Sequence, residues 1–272
     1  MIQRRCRPLA SRQRRQVSSA SLNIKNQPKG KSMKIRFLLA SLTISLAIPA
    51  LADDHAESAQ GNGAFTTLFV AAKDPESYVK SVASNPALFE MIGAQAAGYC
   101  ETISGRDYTG QIMIWNAFPS VSSAIIGASK YDPSKAPADM ASQRDFKYGT
   151  TWIPLKPFPR LDPGYERAMR IKISPANMPS FIAAITKMEA EVIAAGHDTF
   201  MNGLFVAIGG GTHEVGTYYL KSITSSVETH GAVFDDYLSG AAWGASYNEA
   251  VALIDEVVND QFEQCEQFYS AE

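Results

Sequence analysis

The sequence predicts an α+β chain made of two β-α-β-β-α-β units in tandem. Three observations carry that expectation. Pro154, Pro157, Pro159 and Pro163 crowd into residues 154–163 and end in Pro163-Gly164. Proline fixes φ and lacks a backbone donor, so residues 156–164 read as a linker, not as an interior strand or a helix. The segments on either side, 64–155 and 165–272, repeat one order of strands, capped helices and glycine-flanked turns. Finally, Ile112-Met113-Ile114-Trp115 and Gly203-Leu204-Phe205-Val206-Ala207-Ile208 are near-continuous apolar runs, the signature of strands buried on both faces.

In the first unit, residues 65–72 form the opening strand, and Asp74-Pro75 starts a helix with Asp as N-cap and Pro in the first helical position. Residues 99–104 and 111–117 make a hairpin around Gly105 and Gly110, a helix follows over 120–129, and 146–155 is the closing strand. The second unit opens with a strand over 165–173. Asn177 then caps a helix whose apolar residues Phe181, Ile185, Met188 and Val192 recur at helical spacing before Gly196. Strands over 200–208 and 217–223 flank a turn bounded by Gly211 and Gly216, and a helix spans 225–238. Ser246-Tyr247-Asn248-Glu249 reads as a capping box for one more helix through Val251, Ile254 and Val258, before a closing strand over 262–269. Each unit is a split βαβ, or ferredoxin-like, arrangement.

Residues 1–52 are set apart as a leader. They hold eleven of the 25 basic residues and none of the 27 acidic ones, which leaves a charge of −13 on the remaining 220 residues. A body this acidic repels phosphate, so nucleic acid and anionic membrane surfaces are poor partners. Within the leader, Met33-Lys34-Ile35-Arg36 precedes an apolar run over 37–48, and Ala50-Leu51-Ala52 offers the small-x-small pattern of signal cleavage. The run falls short of the ~20 residues of a membrane span. The expectation is a signal peptide over 33–52, no stable membrane anchor, a mobile mature N terminus over 53–63, and a periplasmic or secreted protein. Residues 1–32 read as an upstream mis-start or as a basic organelle-targeting extension.

The candidate chemistry is sparse. Outside the leader stand His55, His197, His213 and His230. His197 follows the helix-ending Gly196 and reads as a cap, and His213 reads as an exposed turn residue. His230 is the candidate catalytic residue: it lies on a helix over a sheet, and neutral imidazole serves as a base or an iron ligand. No His pair or Cys-x-x-Cys has zinc spacing, so no metal site is assigned. Gly209-Gly210-Gly211 reads as a hairpin turn, not as a phosphate loop. There is no Gly-x-Ser-x-Gly elbow and no flavin or nicotinamide fingerprint. Trp115 and Asn116, at a strand end, are candidate ligand-binding residues, an apolar wall beside an amide.

Two such units in tandem resemble the dimeric α/β-barrel superfamily, with its usual two subunits fused into one chain. The superfamily includes antibiotic-biosynthesis monooxygenase-like proteins, haem-degrading monooxygenases, chlorite dismutases and dye-decolourising peroxidases. Monooxygenase-like members commonly end their third strand in an aromatic residue, followed by a Ser/Asp-rich turn and a helix that often carries His. Here the first unit has Ile114-Trp115-Asn116-Ala117-Phe118-Pro119-Ser120, and the second runs from Leu220-Lys221-Ser222 to Glu228-Thr229-His230. The units depart from one another: Lys221 stands where the first has Trp115, and Ala124 where the second has His230. The resemblance implies an intrachain barrel and an apolar small-molecule ligand, with haem as the cofactor to consider. It also sets the last strand of one unit beside the second strand of the other. With Cys6 in the leader, an even pair remains, which in an exported protein favours a bridge, so Cys100 and Cys265 are expected to form a disulfide across that seam. Two buried free thiols are the alternative. The functional expectation is an exported small-molecule-binding barrel, with catalysis left open. A monooxygenase-like or haem-binding enzyme and a non-catalytic structural barrel are the other readings.

Overall fold

The computed structural model describes residues 63–158 and 162–271. The expected leader and signal peptide, and all but the last residue of the expected mature N terminus, lie outside the described residues.

The first unit contains β1 (Ala64–Ala72), α1 (Pro75–Ala83), α2 (Pro86–Ile92), β2 (Ala96–Ser104), β3 (Gln111–Phe118), α3 (Val121–Ser129), α4 (Ala138–Ser142) and β4 (Arg144–Pro154). The second contains β5 (Tyr165–Lys172), α5 (Met178–Ala194), β6 (Met201–Ile208), α6 (Gly211–Glu214), β7 (Tyr218–Thr224), α7 (Val227–Leu238), α8 (Gly244–Val251) and β8 (Glu256–Ser270). The eight strands close into one antiparallel barrel in the order β1-β3-β2-β8-β5-β7-β6-β4. Each unit supplies four neighbouring strands in the same internal order, fourth-first-third-second. The barrel therefore has two seams, β2 with β8 and β4 with β6, and each joins the last strand of one unit to the second strand of the other. At the first seam Cys100 faces Cys265 in register.

The apolar runs follow from this closure. Successive strand residues point to opposite faces. On β3, Ile112 and Ile114 turn outward under Tyr78, Phe89 and Ala124, while Met113 and Trp115 turn into the barrel with Phe69, Trp152 and Tyr219. In the second unit Ile171, Leu204 and Leu220 pack outward against Phe181 and Ile185 of α5. Both strand faces are dry, so alternation disappears. Among the described residues no helix is long and apolar enough to cross a membrane.

Four local expectations need correction. Asp74 caps α1 as expected, accepting from the Ser77 amide at 3.0 Å, but Asn177 makes no side-chain cap bond and is itself helical in backbone. The Ser246-x-x-Glu249 pattern is not a capping box, because α8 already begins at Gly244. Ser246 is buried inside the helix and donates to Glu191 of α5 at 2.6 Å. Val258 belongs to β8, which starts six residues earlier than expected because it must pair with β5 from Lys172↔Glu256 and with β2 as far as Ala96↔Ser270. The turn after Gly209-Gly210 is not a plain hairpin turn: it contains the one-turn helix α6, whose Glu214 is buried.

Candidate active or binding site inside the barrel

The inward positions of three adjacent strands carry charge. On β5 they are Glu166, Ala168 and Arg170; on β7, Tyr219, Lys221 and Ile223; on β8, Gln261, Glu263 and Cys265. The ammonium of Lys221 donates to Glu166 Oε2 at 2.6 Å and to Glu263 Oε2 at 3.1 Å, and the Tyr219 hydroxyl donates to Glu263 Oε1 at 3.2 Å. All four side chains are buried. Burial pushes the Glu166 carboxyl above its ordinary range; the Lys221 charge pulls the other way, and Glu263 adds to the rise. Burial also works against the Lys221 charge, but the two carboxylates outweigh it and hold the amine above its usual value. The group is thus two carboxylates sharing one ammonium.

Two inward positions further along β5, Arg170 is balanced by a partner of its own, Glu214. Its guanidinium donates to both oxygens of buried Glu214 at 2.8–3.0 Å, Tyr148 donates to the same carboxylate at 2.6 Å, and the Phe69 and Tyr219 rings flank the cation at 5.3 and 4.8 Å. A complete pair of this kind holds the hairpin helix α6 against the barrel. Removing one partner of a buried pair typically costs about 3–5 kcal/mol.

On the other side of the triad a cavity of about 70 Å³ opens between aromatic walls. Phe65, Trp115, Trp152, Phe205 and Tyr219 supply the rings, Thr67, Glu166 and Lys221 the polar groups, and Phe158, Asp162 and Pro163 from the linker stand at its rim. Trp152 Nε1 donates to Thr67 Oγ1 at 2.9 Å, which fixes that indole plane. Phe65 meets Phe205 edge-on at 5.8 Å. The cavity is smaller than the engineered void of about 150 Å³ that takes benzene, so it accepts a slim group.

The candidates named from sequence are dispersed. Trp115 lines this cavity. Asn116, its neighbour on β3, points the opposite way, toward the helices, so the two residues do not share a wall. Asn116 Nδ2 donates to Thr66 Oγ1 at 3.1 Å, its Oδ1 is buried without a partner, and the residue borders a cavity of about 320 Å³ between sheet and α3. His230 lies on α7 in the second unit. It is buried among Tyr165, Phe234 and Phe262 at ring distances of 5.4–5.6 Å, beside a space of about 50 Å³. Its Nδ1 sits 3.1 Å from Thr224 Oγ1, and the ring donates to the backbone carbonyl of Tyr165. Burial first, then the charge of Arg167, lowers its pKa to about 4, so the ring is neutral. His213 is exposed and stacks on Tyr148 at 4.1 Å. Cys100 and Cys265 form the expected disulfide, with Cα atoms 4.0 Å apart.

Neither haem nor a metal ion fits these residues. The space at His230, about 50 Å³, is far below the 300–1,000 Å³ of cofactor pockets. The 320 Å³ cavity of the first unit has no histidine in its lining. Cys100, Cys265, Glu166 and Glu263 bring four donor atoms within 4.8 Å of one another. The sulfurs are bonded to each other, however, and Lys221 occupies the carboxylates.

No family model matches the sequence, and no curated protein is similar to it in sequence. Among solved structures, an anthrone oxidase-like protein superposes with a TM-score of 0.50 at 10% identity, over 78% of this chain and 97% of its own. The chain has the dimeric α/β-barrel fold. A proposed monooxygenase from Fusobacterium nucleatum matches with a TM-score of 0.49 at 9% identity, over 75% of this chain and 93% of its own. A chlorite dismutase variant from Candidatus Nitrospira defluvii gives 0.48 at 11%, over 77% and 93%. At 10% identity the anthrone oxidase-like protein shares the architecture alone, and a dimeric α/β-barrel takes its function from its own side chains.

The Glu166–Lys221–Glu263 triad and Arg170–Glu214 were not identified from the sequence as a site. Strand alternation puts Glu166 and Arg170 on one face of β5, and Lys221 and Glu263 each have an apolar neighbour on one side, in Leu220-Lys221 and Phe262-Glu263. Neither pattern says which face is inward, and Glu214 lies on the one-turn helix α6.

Proposed function

We propose that this dimeric α/β-barrel is an exported protein that binds a small molecule inside its barrel. The observation that carries the reading is the aromatic-walled cavity on top of a buried, incompletely balanced charge group. Ligand sites are mostly apolar enclosures with a few convergent polar groups and a perturbed ionisable residue. Trp115, Trp152, Phe65 and Phe205 supply the first property, and Glu166 the second. Export is supported by the basic start, short apolar run and Ala50-Leu51-Ala52 boundary, together with a disulfide, which persists in oxidising compartments. The chemistry on offer is recognition of a slim apolar group bearing one polar head.

The test is a fragment library followed through the indole N–H signals of Trp115 and Trp152, on the parent and on Ile223→Trp, which fills the cavity from β7. The expected result is a chemical class that moves both signals in the parent and neither in the filled variant. Shifts that persist in Ile223→Trp, or a parent whose two indoles respond to no fragment, would overturn the reading.

A further inference from the structure

Resting on the barrel cavity as the ligand site, we infer that the ligand is a small organic cation, an alkylammonium-type head held between aromatic faces with its charge against Glu166.

Charge balance is the first ground. Within the barrel Arg170 and Glu214 neutralise one another, whereas Glu166 and Glu263 share the single charge of Lys221. With both ionised, one carboxylate is in excess in a buried enclosure, and burial answers by favouring the protonated form of Glu166, a proton whose place a cation can take. At the rim Asp162 adds a further acid, exposed to solvent. A ligand that brings one positive charge completes the balance.

The hydrogen bonds say which carboxylate is in excess. Glu263 accepts from both Tyr219 and Lys221. Glu166 accepts from Lys221 through Oε2, and it is the carboxylate that lines the cavity. Lys221 offers nothing to an incoming anion. Its protons are directed at Glu166, at Glu263 and at the Cys100 sulfur 3.9 Å away. An anionic head would face Glu166 beside a Lys221 whose protons are already directed at other acceptors. Burial raises the Glu166 carboxyl, a penalty that an adjacent cation removes.

The walls suit the same head. Trp115, Trp152, Phe65, Phe205 and Tyr219 surround the space. The face of an aromatic ring attracts a cation within about 6 Å of its centroid, by ~2 kcal/mol or more when both are desolvated. A volume of about 70 Å³ admits an ammonium head on a narrow chain whose remainder leaves past Phe158 and Pro163.

Three chains of one shape decide the matter: n-butylammonium, n-butanol and n-butyrate, titrated at pH 7 into the full chain. The indole N–H signals of Trp115 and Trp152 report binding. Trp243, which packs with Phe200 and Val233 outside the barrel, serves as internal control. The expected result is saturation of the two barrel indoles at a butylammonium concentration at least tenfold below that of butanol, no response to butyrate, and loss of the preference in Glu166→Gln. Equal response to butanol and butylammonium would overturn the cation while leaving the cavity as a ligand site. Preference for butyrate would overturn it in favour of recognition by Lys221. No response to any of the three would also overturn it, whatever the fragment library shows. The comparison on the parent decides the question even where Glu166→Gln fails to fold.

Discussion

Cys100 and Cys265 stand opposite each other across the β2–β8 seam, bonded through their sulfurs, with their Cα atoms 4.0 Å apart and a sequence separation of 165. The bond joins the second strand of one unit to the last strand of the other. A loop of that length gives a chain-entropy stabilisation of about 5 kcal/mol at most. Reduction, or Cys100→Ala with Cys265→Ala, is expected to lower the melting temperature by roughly 10–20 °C, at ~2–4 °C per kcal/mol for a domain of this size. An unchanged melting temperature would show that the two seams hold without the bond.

Lys221 is expected to be the most sensitive residue of the barrel interior. Lys221→Met leaves Glu166 and Glu263 buried without their cation, at a cost of about 3–5 kcal/mol. Adding Glu166→Gln and Glu263→Gln removes both orphaned charges and should restore most of the loss. Urea unfolding at pH 7 measures both variants. A loss below about 1 kcal/mol in Lys221→Met would contradict the triad as the charge centre of the barrel.

The pH dependence of Glu166 has a definite sign. Its carboxyl is raised in the folded protein, so above the ordinary value of 4.5 the native state binds more protons than the unfolded chain. Stability from this group therefore declines as pH rises from about 4.5 toward the folded value. Glu166→Gln does not titrate, and its stability relative to the parent should rise across that range. Urea midpoints collected from pH 4 to pH 8 test this. A parent that gains on the variant with rising pH would refute it.

His230 acts in the opposite direction. Its folded pKa, lowered to about 4 from 6.5, means that the unfolded chain takes up the proton first on acidification. The stability it contributes is complete above pH 6.5 and is lost as pH falls toward 4. His230→Gln should flatten that part of the profile while leaving the response of Trp115 and Trp152 to ligand unchanged, because the ring lies outside the barrel. Loss of ligand response in His230→Gln would place the binding site on the helix side instead.

Much of the architecture was legible because closure of the barrel writes itself into local sequence. Burial on both faces makes β3 and β6 continuous apolar runs, and the proline cluster marks where one unit ends. The helix α2 was missed although Asn85-Pro86 and Gly93, with φ 77°, mark its two ends. The error at Ser246 has another origin. Its partner, Glu191, lies on a different helix, and no local pattern reports that a serine is buried against it. Trp115 and Asn116 were paired because they are adjacent, yet strand alternation sends adjacent residues to opposite faces. The charge triad was hardest to read. Lys221 is 55 residues from Glu166 and 42 from Glu263, and each looks like an isolated surface charge until the register β8-β5-β7 brings them together.

A crystal structure of the protein with a fragment from the Trp115 and Trp152 screen tests the barrel site most directly. The expected result is ligand density between the Trp115 and Trp152 rings, with a polar or positive head within hydrogen-bond distance of Glu166 and the disulfide intact beside it. Density instead against Asn116 under α3, or against His230 under α7, with the barrel interior unchanged, would contradict it.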